Sequence, residues 1–145
     1  MLPQSKLILA IDALSVTAGG THTGTIDTLG YDFASIDVIM ATSNATTNNP
    51  TVFKLVESDA TVTNITSVDD ITAFVGDTAW TIPAEDTNNG NTYKFNVDLR
   101  GRKRYLGVRI SPLTTQLVSV TANLFRGDEA PISATKANVD AIVEG

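Results

Sequence analysis

The sequence predicts an all-β fold, an antiparallel β-sandwich, jelly-roll-like, built from about eight strands. It reads as a single domain over residues 1–145, with a possible N-terminal arm at 1–8 and a short helical or flexible C-terminal tail at 133–145. Three observations predict this. Apolar residues recur with a period of two rather than 3.6. Turn-forming Gly, Pro, Asn and Asp punctuate the chain at short intervals. No strand–helix–strand alternation and no internal repeat breaks the pattern.

The elements follow in order. "KLILAID" reads as a first strand or arm; Asp12 interrupts its apolar run, which argues against a secretory leader, and the run is far too short to span a bilayer. "GTHTGTID" is a second strand, after the "AGG" turn. In "YDFASIDVIMAT", Ala34, Ile36, Val38 and Met40 share one side, and Phe33, Ser35, Asp37 and Ile39 the other. "TVFKLVES" is a further strand. "ITSVDDITAF" (65–74) is expected to form a short helix or turn, and "TAWTIP" a short strand. After the "NNG" turn at 88–90, Tyr93, Phe95, Val97 and Leu99 alternate with Lys94, Asn96, Asp98 and Arg100, one face buried and one wet. Leu106, Val108 and Ile110 share a face in the next strand, as do Val118, Val120, Ala122 and Leu124 in the one after. In "SATKANVDAIVEG" (133–145), Ser133 is a candidate cap for a helix, or the segment is a tail that orders on a partner.

Composition narrows the function. The formal net charge of -6 argues against a general nucleic-acid binder, which needs a net basic face. Charged residues are only 18% of the chain, and Thr, Asn and Ser wet the surface instead. There is no cysteine, hence no disulfide, thiolate metal site or cysteine nucleophile.

No catalytic, cofactor or metal constellation is legible, and the expectation is a non-enzyme. His22, the one histidine, lies in "GGTHTGT" with no carboxylate before Asp27, which reads as an edge-strand residue rather than a triad or metal ligand. Glu57, Asp59, Asp69, Asp70 and Asp77 lack the spacing of a calcium loop and read as solvated loop acids. The glycines of "VTAGGT" fit neither a phosphate loop nor a dinucleotide loop, and read as a bend. "NAT" at Asn44 and "NIT" at Asn64 match the glycosylation triplet, which arises by chance in an Asn/Thr-rich chain. Trp80 and the tyrosines are candidates to line a sugar site, which keeps a carbohydrate-binding module open as an alternative function.

The basic side chains are unevenly spread. Arg100, Arg102, Lys103, Arg104 and Arg109 make up half of the ten, within "DLRGRKRYLGVRISP". A β-hairpin with Gly101 in its turn is expected to present these charges at its tip, next to Tyr105. Arg109 lies inside a strand opposite the apolar face, where bidentate pairing with a carboxylate of a subunit or partner is expected.

The order Y-x-F-x-V-x-L-R-G-R-K-R-Y-L-G-V-R-I, a second apolar strand, and then "LFRGDEAPI" resembles small head proteins of tailed bacteriophages. "LGYDFASIDVIMATSNA" and "FKLVESDA" are similar to the upstream part of that pattern, so the resemblance covers roughly residues 25–131. Gly107 stands where that pattern has Arg or another side chain. The resemblance implies a head decoration (cement) protein on the outer capsid surface of the virion. Such proteins form trimers and brace neighbouring capsomers of the major capsid protein. It implies no cofactor, no nucleic acid and no membrane. Arg100, Arg102, Lys103, Arg104, Tyr105 and Arg109 are then the expected capsid or protomer interface. Another virion component, from the tail or head completion, is the related alternative.

Overall fold

A computed structural model describes residues 5–20, 22–43, 49–61, 68–85, 88–126 and 141–144. Nine strands run through them: β1 (Ser5–Val16), β2 (His22–Asp27), β3 (Phe33–Met40), β4 (Val52–Ser58), β5 (Asp69–Val75), β6 (Asn91–Asp98), β7 (Tyr105–Ser111), β8 (Gln116–Phe125) and β9 (Ala141–Glu144). One sheet has the order β1-β8-β3-β6-β9, and the other β2-β7-β4-β5. All pairs are antiparallel except β6 with β9.

The pairing has a simple rule. β1 joins β8, β2 joins β7, β3 joins β6 and β4 joins β5. The chain is thus one long antiparallel ribbon folded at the β4–β5 connection. The ribbon is then rolled so that β3 also meets β8 and β4 also meets β7. This is jelly-roll connectivity. The β2–β3, β4–β5 and β6–β7 connections share one end of the sandwich, and the other four among β1–β8 share the opposite end.

The alternation read from the sequence sets the core. Ala34, Ile36, Val38 and Met40 of β3 are buried, as are Tyr93, Phe95 and Val97 of β6, Leu106, Val108 and Ile110 of β7, and Val118, Val120, Ala122 and Leu124 of β8. Phe53 of β4 is the hub of an aromatic cluster. It meets Trp80, Tyr93 and Phe95 edge-on, at centroid distances of 5.5, 4.7 and 5.3 Å. Each such pair adds about 1 kcal/mol beyond its buried area.

Two corners close the sandwich. Gly24 of β2 lies so near β1 that a Cβ would sit 2.6 Å from the Ile11 side chain and 2.7 Å from the Ala10 carbonyl, so a side chain there would force the sheets apart. β1 is irregular at this point. Its register with β8 shifts between Leu9 and Ile11 and again between Ile11 and Leu14, and Ala13 takes a positive φ of 33°. Such bulges bend an edge strand and disrupt its use as a template for further pairing. At the other corner Val143 of β9 is buried in the core, and β9 lies against both β6 and β5.

Several expectations change. In the 65–74 segment, residues 69–74 belong to strand β5 and not to a helix, because pairing with β4 overrides the local turn signal of Asp69–Asp70, while 65–67 lie outside the described residues. Around Trp80 the chain makes only an isolated bridge to Gly76, since the indole turns into the aromatic cluster. Within 133–145, residues 141–144 are a strand rather than a helix; "AIVE" finds an open edge on β6, and 133–140 lie outside the described residues. Of the expected N-terminal arm, Ser5–Ile8 are paired with β8, while 1–4 lie outside the described residues.

Candidate functional site

The basic run does not cap a hairpin. β6 and β7 belong to different sheets, so residues 99–104 carry the chain across one end of the sandwich. Gly101 does serve a turn: its φ is 82°, and the Arg102 N–H donates to the Leu99 carbonyl at 3.0 Å. A positive φ at the third residue is the type II requirement that glycine meets without strain.

The strand registers bring acids to the same end. Asp27 and Ser58 flank Tyr105 on either side of β7, and Glu57 pairs with Asp69. Arg100 grips Asp98 through Nε (3.0 Å to Oδ1) and Nη2 (2.8 Å to Oδ2), and its guanidinium lies 5.0 Å from the Phe33 ring centroid. Arg102 Nη1 is 3.9 Å from Glu57. The Lys103 N–H donates to Glu57 at 3.2 Å, while Lys103 Nζ is 2.6 Å from Asp69 and 3.6 Å from Asp59. Arg104 binds Asp27 through Nε (3.0 Å) and Nη2 (2.8 Å) and covers the Tyr105 ring at 4.8 Å. The Arg104 carbonyl accepts from the Thr28 hydroxyl at 2.6 Å, which pins the crossing to the β2–β3 connection.

The charge between 100 and 104 is therefore matched within the chain. The bond from Arg104 holds Asp27 down at about 2, and the bond from Arg100 does the same for Asp98. The bond to Asp69 raises Lys103. Of the acids read as solvated loops, Glu57, Asp59 and Asp69 serve this network, Asp70 pairs with Lys54 at 2.8 Å, and Asp77 accepts from the Ile82 N–H at 3.1 Å. No group of metal-ligating side chains forms among the described residues.

Arg109 differs from the other five expected interface residues. It stands mid-strand on the outer face of the four-stranded sheet, between Thr23 of β2 and Lys54 of β4. Among the described residues its buried Nε has no hydrogen-bond partner and no acid pairs with it. The neighbouring Lys54 is already engaged by Asp70.

The remaining candidates take structural places. Trp80, half-buried, packs against Phe53, Tyr93 and Phe95 at the edge of the core. Tyr93 is buried, Tyr105 lies under Arg104, and Tyr31 lies under Arg126. Gly19, with φ 70°, makes the β1–β2 turn expected of "VTAGGT". His22 begins β2, while Asn44 and Asn64 lie outside the described residues.

Two features escaped the sequence reading. The first is a set of exposed apolar side chains on the outer face of the five-stranded sheet, set among Ser119, Thr121, Asn123 and the Asp37–Lys94 pair. Leu7 and Leu9 of β1, Ile39 of β3 and Leu117 of β8 are 68%, 55%, 49% and 53% exposed; Leu14 of β1 is exposed too, but it sits opposite the buried Val118, on the other phase of the strand. Among the described residues no strand of the four-stranded sheet carries an exposed large hydrophobic. The signal was present: Leu117 and Ile39 break the polar phase of their strands, and "LILA" is apolar on both phases. The second is a buried Glu85–Gln116 contact at the opposite end of the sandwich from the basic run, for which the sequence carries no signal.

Compared with models of protein families, with curated proteins and with solved structures, the chain matches none.

Proposed function

We propose that the chain is a non-enzymatic virion structural protein, a decoration or cement protein that binds the outer surface of a tailed-phage capsid and stabilises it. The sequence pattern across the β6–β7 crossing supports this reading, and so does a β-sandwich with exposed apolar side chains on one outer face. That face carries the argument. Exposed leucines clustered on one sheet face, as Leu7 and Leu9 are, mark a contact surface. Leu7, Leu9, Ile39 and Leu117 form the docking face toward the major capsid protein. The 100–104 network serves to hold one end of the sandwich together.

Arg109 is assigned to self-association. It lies on the sheet that turns away from the docking face and lacks an acid within the described residues. A chain of net charge -6 offers acidic partners on its own copies. A closed trimer would repeat that contact by symmetry. Many weak contacts repeated over a shell give avidity without any single strong one.

The test is co-sedimentation of the purified chain with expanded, undecorated heads of the parent phage, at low and high salt. Saturable binding at a fixed symmetric ratio is expected. Leu9→Lys with Leu117→Lys is expected to abolish it, and both positions are exposed enough to leave the fold intact. Absence of wild-type binding at every salt concentration overturns the reading, and unchanged binding by the double variant moves the docking face elsewhere.

A further inference from the structure

Glu85, in the connection between β5 and β6, is the one buried acid among the described residues, only 4% exposed. Its Oε2 accepts from Gln116 Nε2 at 2.9 Å, and the same nitrogen donates to the Ala41 carbonyl at 3.1 Å. The Ser43 hydroxyl also reaches the carboxyl, and it lies 3.3 Å from Thr114 Oγ1. Two oxygens remain. Glu85 Oε1 and Gln116 Oε1 are both buried, and neither has a hydrogen-bond partner among the described residues.

A carboxylic acid and a primary amide can pair reciprocally. The amide N–H donates to one carboxyl oxygen, and the acid O–H donates to the amide oxygen. The first half of that pair is in place here. One proton on Glu85 Oε1 would supply the second half and satisfy both remaining oxygens together, where each would otherwise cost about 1–3 kcal/mol. We propose that Glu85 is held as the neutral acid in a reciprocal carboxyl–amide pair with Gln116, and that this pair is an acid-favoured latch fastening the β5–β6 connection to the ends of β3 and β8.

The surroundings favour a proton over a counter-charge. Gln116 and Ser43 touch Glu85; they are tied in turn to the Ala41 carbonyl and to Thr114, and Thr115 beside them accepts from the Ala18 N–H. None of these carries a titratable or charged side chain. On its own connection Asp77 is taken up by the Ile82 N–H, and Asp86, next in sequence, lies outside the described residues. Burial raises the Glu85 carboxyl above its ordinary 4.5, against the opposing bonds from Ser43 and Gln116. For a raised acid the folded chain binds more protons than the unfolded one. The stabilisation is full below 4.5 and is lost as pH rises through the folded value.

Glu85→Gln tests this, because an amide at position 85 carries a permanent N–H where the proton would sit. Near neutral pH this variant is expected to melt about 3 °C above the wild type. Below 4.5 the two should coincide. The Glu85 carboxyl signal in an NMR pH titration of the wild type should move above 4.5. A variant destabilised at every pH overturns the proposal, as does a carboxyl titrating at or below 4.5. Calcium that raises the wild-type midpoint near neutral pH, but not that of Glu85→Gln, replaces the proton with a metal ion and also overturns it.

Discussion

The two ends of this sandwich handle charge in opposite ways. At one end Arg100, Arg102, Lys103 and Arg104 meet Asp98, Glu57, Asp59, Asp69 and Asp27 in contact with water. At the other end, among the described residues, one acid, Glu85, is buried against an amide and a hydroxyl. The first end is rich in ion pairs, yet each is screened and individually weak. The second has few polar contacts, each of high consequence, because a buried group that loses its partner keeps its full desolvation cost. Number of charges and energetic weight therefore run in opposite directions along the long axis.

The largest expected effect follows at the buried end. Gln116→Leu removes the donor to Glu85 and to the Ala41 carbonyl while keeping an apolar fit. It should lower unfolding stability by about 2–3 kcal/mol, measured by urea denaturation near neutral pH. A loss under about 0.5 kcal/mol would mean that water replaces the amide and that this end is not dry. The next effect lies in the crossing at the charged end. Gly101→Val places a β-branched side chain at φ 82°, although nothing lies within 4 Å of the added Cβ. Backbone strain alone should cost about 1–2 kcal/mol. If thermal melting shows no loss, the turn relaxes to another type.

The same contrast explains what the sequence revealed. Faces were legible, since a period of two assigns each residue to core or solvent from its neighbours alone. Ile36, Val38, Phe95, Val108 and Val120 are buried as their alternation requires. Partners were not legible. "TYKFNVDLRGRKRYLGVRI" looks like two strands around a turn, yet β6 pairs with β3 and β7 with β2 and β4. Rolling the ribbon separates sequence neighbours into different sheets, and no local pattern encodes that step. For the same reason the run of positive charge was visible, whereas its neutralisation was not. Asp27 lies 77 residues from Arg104, and Asp69 lies 34 from Lys103. Glu85 gave no signal at all, because "PAEDTNNG" is the composition of a wet loop.

The smallest expected effect is at the most conspicuous residues. Asp27→Asn breaks the two-pronged contact with Arg104 at an exposed site, and should cost less than about 1 kcal/mol near neutral pH. The pH dependence gives it a signature. Asp27 has a folded pKa of about 2 against an ordinary 3.8, so its contribution is full above 3.8 and is lost as pH falls toward 2. Wild type and variant should therefore converge in stability across that window. They should also converge near neutral pH as salt is raised to about 1 M, where the screening length is about 3 Å. Glu85→Gln should behave in the reverse sense, separating from wild type as pH rises above 4.5 and responding little to salt. A large, salt-insensitive loss for Asp27→Asn would show that the charged end is drier than its exposure indicates. The contrast between the two ends would then lie in the number of partners rather than in water.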